Sequence, residues 1–218
     1  MKLYPIQCGN FKLDGGAMFG VVPKSLWERT NPADSKNLIE LGTRSLLVED
    51  GKKLILIDCG LGNKQDEKFF GHYSLYGDES LDKNLKKFGF VREDITDVFL
   101  THLHFDHCGG AIEWNDDKTG YRPAFKNAQF WTNENHWQWA TEPNPREKAS
   151  FLKENILPMQ ESGQLQFLPT PKTGNYGFAP DLKMDVIFVD GHTEKQMLPV
   201  IQYQEKTIVF AADLIPTV

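Results

Sequence analysis

The chain has 218 residues, with 24 Lys and Arg against 30 Asp and Glu, for a net charge of −6. That length suits one compact domain. An apolar share of 40% supplies one substantial core, which excludes an intrinsically disordered chain. No apolar run approaches the ~18–20 residues of a membrane helix, and an acid surplus argues against a nucleic-acid partner, because phosphate binders carry excess Lys and Arg. The first residues, Met1 to Gly9, lack the long apolar run of a secretory signal. Cys8, Cys59 and Cys108 are odd in number and form no C-x-x-C pair, so they read as reduced thiols in a cytoplasmic protein.

In chain order, Lys2 to Cys8 reads as a strand and Gly15-Gly16 as a turn, and Pro23 stops the short apolar run Phe19 to Val22. Leu38 to Glu49 and Lys53 to Cys59 read as strands, with Asp50-Gly51 as a two-residue hairpin signal between them. The run Leu54 to Ile57 is continuously apolar, as a strand buried on both faces requires. Gly60 to Asp78 lacks periodicity and reads as a loop. Ser80 to Phe88 reads as a helix that places Leu81, Leu85 and Phe88 on one face and stops at Gly89. Ile95 to Thr101 returns to strand character.

Further on, Ala128 to Trp131 is strand-like and Asn133 to Ala140 fits a short helix. Arg146 to Gln160 fits a longer helix interrupted near Pro158. Four more strands are expected: Leu165 to Leu168, Met184 to Val189, Leu198 to Tyr203 and Thr207 to Ala212. Glu205-Lys206 turns the last two into a hairpin. Strands in two groups with helices between them predict an α/β fold of sheets covered by helices.

The segment Thr101-His102-Leu103-His104-Phe105-Asp106-His107-Cys108-Gly109-Gly110 holds three of the six histidines. A chance occurrence of H-x-H-x-D-H in this composition is about three in ten thousand. On an extended strand His102 and His104 point to one face, so both imidazoles can reach one ion. Asp106 and His107 follow at a turn before two glycines, which lets them aim at a second point nearby. Imidazole and carboxylate suit Zn, Fe or Mn, with Zn the default for a His-rich site. The bland alternative, a His-rich turn that binds nothing, is disfavoured because histidines this dense repel when charged and need partners when neutral. Two apolar strands elsewhere end in metal-capable side chains: Val186 to Val189 leads to His192, and Ile208 to Ala212 leads to Asp213. Taken alone, a strand-end Asp is more often a turn residue.

These segments resemble the metallo-β-lactamase-like hydrolase superfamily. The matching runs are T-H-L-H-F-D-H-C-G-G at 101–110, D-G-H-T at 190–193, A-D-L at 212–214 and Ile57-Asp58-Cys59-Gly60. The H-L-H-F-D-H-x-G-G wording and L-D-G-G-A-M-F-G at 13–20 are most similar to the N-acyl homoserine lactonase and related esterase branch. The resemblance covers the whole chain, 1–218, as a single domain. It implies an αββα sandwich of two mixed sheets flanked by helices. It further implies a first metal held by His102, His104 and His192, a second held by Asp106 and His107, and Asp213 bridging both. Asp58 would be a buried carboxylate that ties the metal loop together without ligating.

The pattern departs from the family in two ways. The family supplies a further histidine to the second metal well after the bridging aspartate, and only five residues follow Asp213 here. The chain therefore reads as cut short in its C-terminal part. No Tyr in this chain can be matched to the one that polarises the substrate carbonyl in some lactonases. Two divalent ions with two carboxylates keep a net positive centre, so a bridging water is expected to lose a proton near neutral pH. The resulting hydroxide would open a small ester, lactone or phosphoester, with Asp106 receiving a proton or steering the nucleophile. There is no G-x-S-x-G to offer a side-chain nucleophile.

The competing readings are a glyoxalase-type thioesterase, a nuclease disfavoured by the charge, and an oxygen- or nitric-oxide-reducing di-iron protein disfavoured by His104. A non-catalytic metal-bearing interaction or sensor module is the rival from outside enzymology. The expected partner is a small molecule, neither nucleic acid nor membrane, and family habit adds a homodimer.

Other residues have plainer readings. Cys108 reads as a small buried residue and His136 as a structural helix residue. His72 reads as a surface loop residue, with a substrate lid as the alternative. Phe19, Trp27 and Phe105 read as core aromatics, with a pocket mouth as the alternative. Lys83, Lys86 and Lys87 read as the wet face of one helix.

Overall fold

A computed structural model describes residues 1–172 and 176–217. The strands are β1 Lys2–Asp14, β2 Leu38–Asp50, β3 Lys53–Ile57, β4 Asp97–Phe99, β5 Ile112–Trp114, β6 Tyr121–Pro123, β7 Gln129–Asn133, β8 Leu165–Leu168, β9 Tyr176–Ala179, β10 Met184–Val189, β11 Gln196–Tyr203 and β12 Lys206–Val209. The helices are α1 Gly15–Phe19, α2 Lys24–Trp27, α3 Glu67–Gly71, α4 Leu81–Lys87, α5 Phe105–Cys108, α6 Glu134–Thr141 and α7 Lys153–Glu161.

One sheet has the order β1-β2-β3-β4-β7-β8 and is mixed: its first three strands are antiparallel and β3, β4, β7 and β8 run parallel. The second has the order β12-β11-β10-β9. Where two mixed sheets were expected, its described strands are all antiparallel, because short turns join them.

The apolar run of β3 shows why the sheets stack. Leu54 and Leu56 face a cluster with Leu81 and Leu85 of α4, Trp137 of α6 and Ile156 and Met159 of α7. Ile55 and Ile57 face Met184, Val186 and Phe188 of β10 and Met197 and Ile201 of β11. Successive side chains alternate faces, so a strand between a helix layer and a sheet must be apolar throughout. On the far face of β10, Asp185, Ile187 and Val189 are half-buried. The described residues thus build a helix layer and two main sheets, with β5 and β6 paired as a separate two-stranded antiparallel sheet. Among them no helix is long and apolar enough to cross a membrane.

Several boundaries differ from the sequence reading. β1 continues past Cys8 to Asp14 because a bulge between Gln7 and Gly9 absorbs the extra residue and the pairing with β2 resumes. The first hairpin turns at Gly51-Lys52, one residue later than expected, since Asp50 still pairs with Lys53. The last hairpin turns at Gln204-Glu205, both at positive φ (47° and 63°). The stretch expected as loop, Gly60 to Asp78, contains α3, capped by the Asp66 side chain. The expected 146–160 helix starts only at Lys153, and Pro158 lies inside it without ending it. β5, β6 and β9 are too short to have shown a pattern of their own.

Candidate metal centre

The parallel strands bring the loops after β3 and β4 to one edge, where the loops after β10 and β12 arrive from the second sheet. Asp58 follows β3 and is 1% exposed, with φ at 58°. Its Oδ1 accepts the backbone N–H of Thr101 at 2.8 Å, and its Oδ2 accepts the Thr101 hydroxyl at 2.8 Å. Oδ2 also faces Nδ1 of His107 at 2.8 Å. This carboxylate therefore joins the ends of β3 and β4, as expected of a buried tie.

β4 ends at Phe99, so His102 and His104 lie beyond the strand and not on it. The alternation still holds: Leu103 between them is fully buried in the helix-side cluster, and the two imidazole centroids are 4.6 Å apart. Asp106 and His107 sit in the single turn of α5. Gly109 and Gly110 follow because a side chain at either position would strike the carbonyls of Leu61 and Cys59. Lys64 is buried there, donates to the carbonyl of Gly109, and is pulled down to about 8 by burial. Cys108 is fully buried, as expected, with its thiol against the carbonyl of Leu103 at 3.3 Å.

Hydrogen bonds decide which ring nitrogens are free. Thr101 Oγ1 spends its proton on Asp58, so it accepts from Nδ1–H of His102 at 3.0 Å. Nε2 of His102 is left buried with no partner among the described residues. His104 turns Nδ1 toward Nε2 of His192 at 3.0 Å. Nε2 of His192 is also 3.2 Å from Asp213 Oδ2, and Nε2 of His107 is 3.1 Å from Asp213 Oδ1.

Two sets of donors have their ligating atoms within 4.8 Å of one another: His102, His104 and His192, and His102, His107 and Asp213. His102 belongs to both. Asp106 stands outside these two sets, with its carboxylate 3.6 Å from Nε2 of His107. Asp213 lies in a single 3-10 turn beyond β12, not at the end of a longer strand, and Ala212 before it has φ of 42°.

Burial, helped by the neighbouring imidazoles, pushes His102 well below the ordinary imidazole range and His104 down to about 3. Burial would lower His107 too, but Asp106, Asp58 and Asp213 around it raise it well above that range. Burial raises Asp106, while His107 and His192 hold Asp213 low against the same burial. Neutral imidazoles with inward lone pairs, an orphaned buried nitrogen and two carboxylates form a donor set that fits a divalent ion.

A cavity of about 340 Å³ opens beside Asp106, His107 and Asp213, lined by Phe11, Leu13, Met18, Leu41 and Phe210 among others. Of the aromatics weighed for a pocket mouth, Trp27 is buried and stacked on Phe19, and Phe105 is buried against Phe69 and Tyr73. His72 is exposed in the loop after α3, and Lys83, Lys86 and Lys87 are exposed on α4. His136 is fully buried. Its Nε2 accepts the N–H of Leu103 at 2.9 Å and its Nδ1–H donates to the carbonyl of Glu194 at 2.6 Å. It thereby ties the His102–His104 backbone to the His192 loop. Sequence reasoning missed Lys64, which carries no local signal.

The family model of the metallo-beta-lactamase superfamily matches residues 38–218, and the chain belongs to that superfamily. A solved probable metal-dependent hydrolase from Staphylococcus aureus superposes with a TM-score of 0.83 at 29% identity, over 95% of this chain and 71% of that one. The N-acyl homoserine lactonase of Bacillus cereus is 22% identical over 95% of this chain and 73% of its own length. A dizinc quorum-quenching lactonase shares the fold, with a TM-score of 0.66 at 22% identity over 98% of this chain and 71% of that one. A 70-residue stretch is 33% identical to the transcription termination factor FttA of Methanocaldococcus jannaschii, 32% of this chain but only 9% of that factor. The chain thus spans about seven-tenths of the lactonase and hydrolase relatives and a small part of FttA.

Proposed function

We propose that this chain is a metal-dependent hydrolase of a small ester, lactone or phosphoester. The observation that carries the reading is the buried, unpartnered Nε2 of His102, set among inward-facing nitrogens of His104 and His192. A buried imidazole lone pair with no donor is costly unless something fills the place. His102, His104 and His192 would hold one divalent ion, His107 and Asp106 a second, and Asp213 would lie between them. Zinc is the default for this donor chemistry, with Fe or Mn as alternatives.

A bound divalent ion supplies Lewis acidity, lowering the pKa of water and polarising a carbonyl or phosphoryl oxygen. The protein's own groups do the rest. Asp58 holds His107 through Nδ1, and Thr101 holds His102 through its own Nδ1, so both rings keep Nε2 available. Asp106, which lines the cavity 3.6 Å from Nε2 of His107, is placed to receive a proton or steer the nucleophile during turnover. The apolar walls at Phe11, Leu13, Met18 and Leu41 suit a substrate with an uncharged, apolar portion and exclude water around it. The lactonase relatives make lactones the first substrates to try.

Elemental mass spectrometry of the purified chain, with His104→Ala as control, tests this. Close to two metals per chain in the parent and a loss in the control are expected, followed by turnover of lactones, aryl esters or phosphotriesters. A parent that takes up neither zinc nor manganese would overturn the reading.

A further inference from the structure

We infer that Glu147 is a positioning residue of this centre, holding His104 with its proton on Nε2 and its lone pair inward at Nδ1. The inference rests on the proposed metal centre. Glu147 lies in the turns before α7, far in sequence from every candidate ligand, yet it is only 6% exposed. Its Oε2 accepts the indole N–H of Trp139 at 2.9 Å and the hydroxyl of Thr193 at 2.8 Å. The same oxygen stands 4.0 Å from Nε2 of His104. Its Oε1 accepts from Arg146 at 3.1 Å and Asn144 at 3.4 Å.

His104 can be oriented in only one sense here. Its Nδ1 faces His192 across 3.0 Å, so Nε2 is the outward atom. That Nε2 is buried and has no hydrogen-bond partner among the described residues, and Glu147 is the carboxylate within ion-pair range of it there. A neutral imidazole whose Nδ1 serves an ion must carry its proton on Nε2, and a buried N–H needs an acceptor. Outer carboxylates of this kind fix the tautomer and orientation of ligating histidines. The ring is further confined by Phe151, whose centroid is 4.7 Å away, and the backbone N–H of Phe105 is bonded to the carbonyl of Ser150 at 2.9 Å. Through Thr193, the residue after His192, the same carboxylate also fixes the second loop. Glu147 thus couples two ligand-bearing segments 88 residues apart.

The test uses the full chain and Glu147→Gln, with zinc titrated against a chromophoric chelator. Outer-shell substitutions of this kind lower metal affinity about 10–100-fold, and that loss is expected with little change in the thermal midpoint of the metal-free protein. Nitrogen-15 spectra of the zinc-loaded parent should show His104 protonated at Nε2, a measurement that stands even if the variant fails to fold. Equal zinc affinity in the variant, an affinity loss that only follows lost metal-free stability, or an Nδ1–H His104 in the parent would each overturn the role of Glu147. Those results leave the metal centre standing. A parent that binds no zinc would remove the centre itself and this inference with it.

Discussion

The two halves of the candidate centre differ in what stands behind them. The half with His102, His104 and His192 has one neutral partner close at hand, the threonine hydroxyl at His102, and the carboxylate behind His104 is held off at 4.0 Å. The half with Asp106, His107 and Asp213 is crowded with acid and opens onto the cavity. Burial dominates at His102 and His104 and pushes both below the ordinary imidazole range, whereas the surrounding carboxylates dominate at His107 and raise it well above that range. A site of this kind is prepared unevenly. An ion would meet neutral rings at His102 and His104, whereas binding at His107 would have to displace a proton.

That contrast can be tested by substitution. His102 is shared by both donor sets, so His102→Ala should drop metal content below one per chain and hydrolysis by about a thousandfold, some 4 kcal/mol of transition-state stabilisation. His107→Ala should leave about one. Elemental analysis of both variants decides it, and equal losses would erase the distinction between the halves.

Asp58→Ala removes the partner of His107 and of two Thr101 donors at once, all in a buried setting. Urea unfolding of the metal-free protein should show a loss of about 3–5 kcal/mol, the cost of stranding a buried charge.

The next expectation concerns pH. Burial lowers His136 to about 4 in the folded chain, while an unfolded histidine titrates near 6.5. Between these values the unfolded state binds more protons, so stability is full above about pH 6.5 and falls as pH drops toward 4. The loss from His136 alone is roughly 3 kcal/mol. Urea midpoints across that range should follow it, and His136→Gln should be weaker at pH 7 but flatter with pH.

Ser80→Ala lies outside both halves. It deletes only the side-chain cap of α4, at 3.2 Å from the N–H of Lys83, and should cost about 1 kcal/mol in unfolding with metal content unchanged. A change in metal content would mean that the helix layer, and not the strand-end loops, sets the site.

Much of this was readable from local pattern. The unbroken apolar run Leu54–Ile57 announced a strand covered on both faces, and H-x-H-x-D-H announced side chains that alternation would bring to one point. Both signals work because the periodicity of extended chain is a property of the backbone alone. Register and element ends were less readable: the bulge at Cys8 and the helix that ran through Pro158 depend on pairing and packing that no short window contains.

Composition and spacing thus determined the kind of chemistry this chain can hold and the layers that carry it. Only the tertiary structure decided which nitrogen of each histidine faces inward, that His102 serves both donor sets, that Asp106 stands slightly apart, and that Glu147 and His136 reach the centre from elements with no motif. The reason is physical. A ring nitrogen's role is set by whichever donor or acceptor occupies its other side, and those partners come from segments that meet only when the two sheets close on one another.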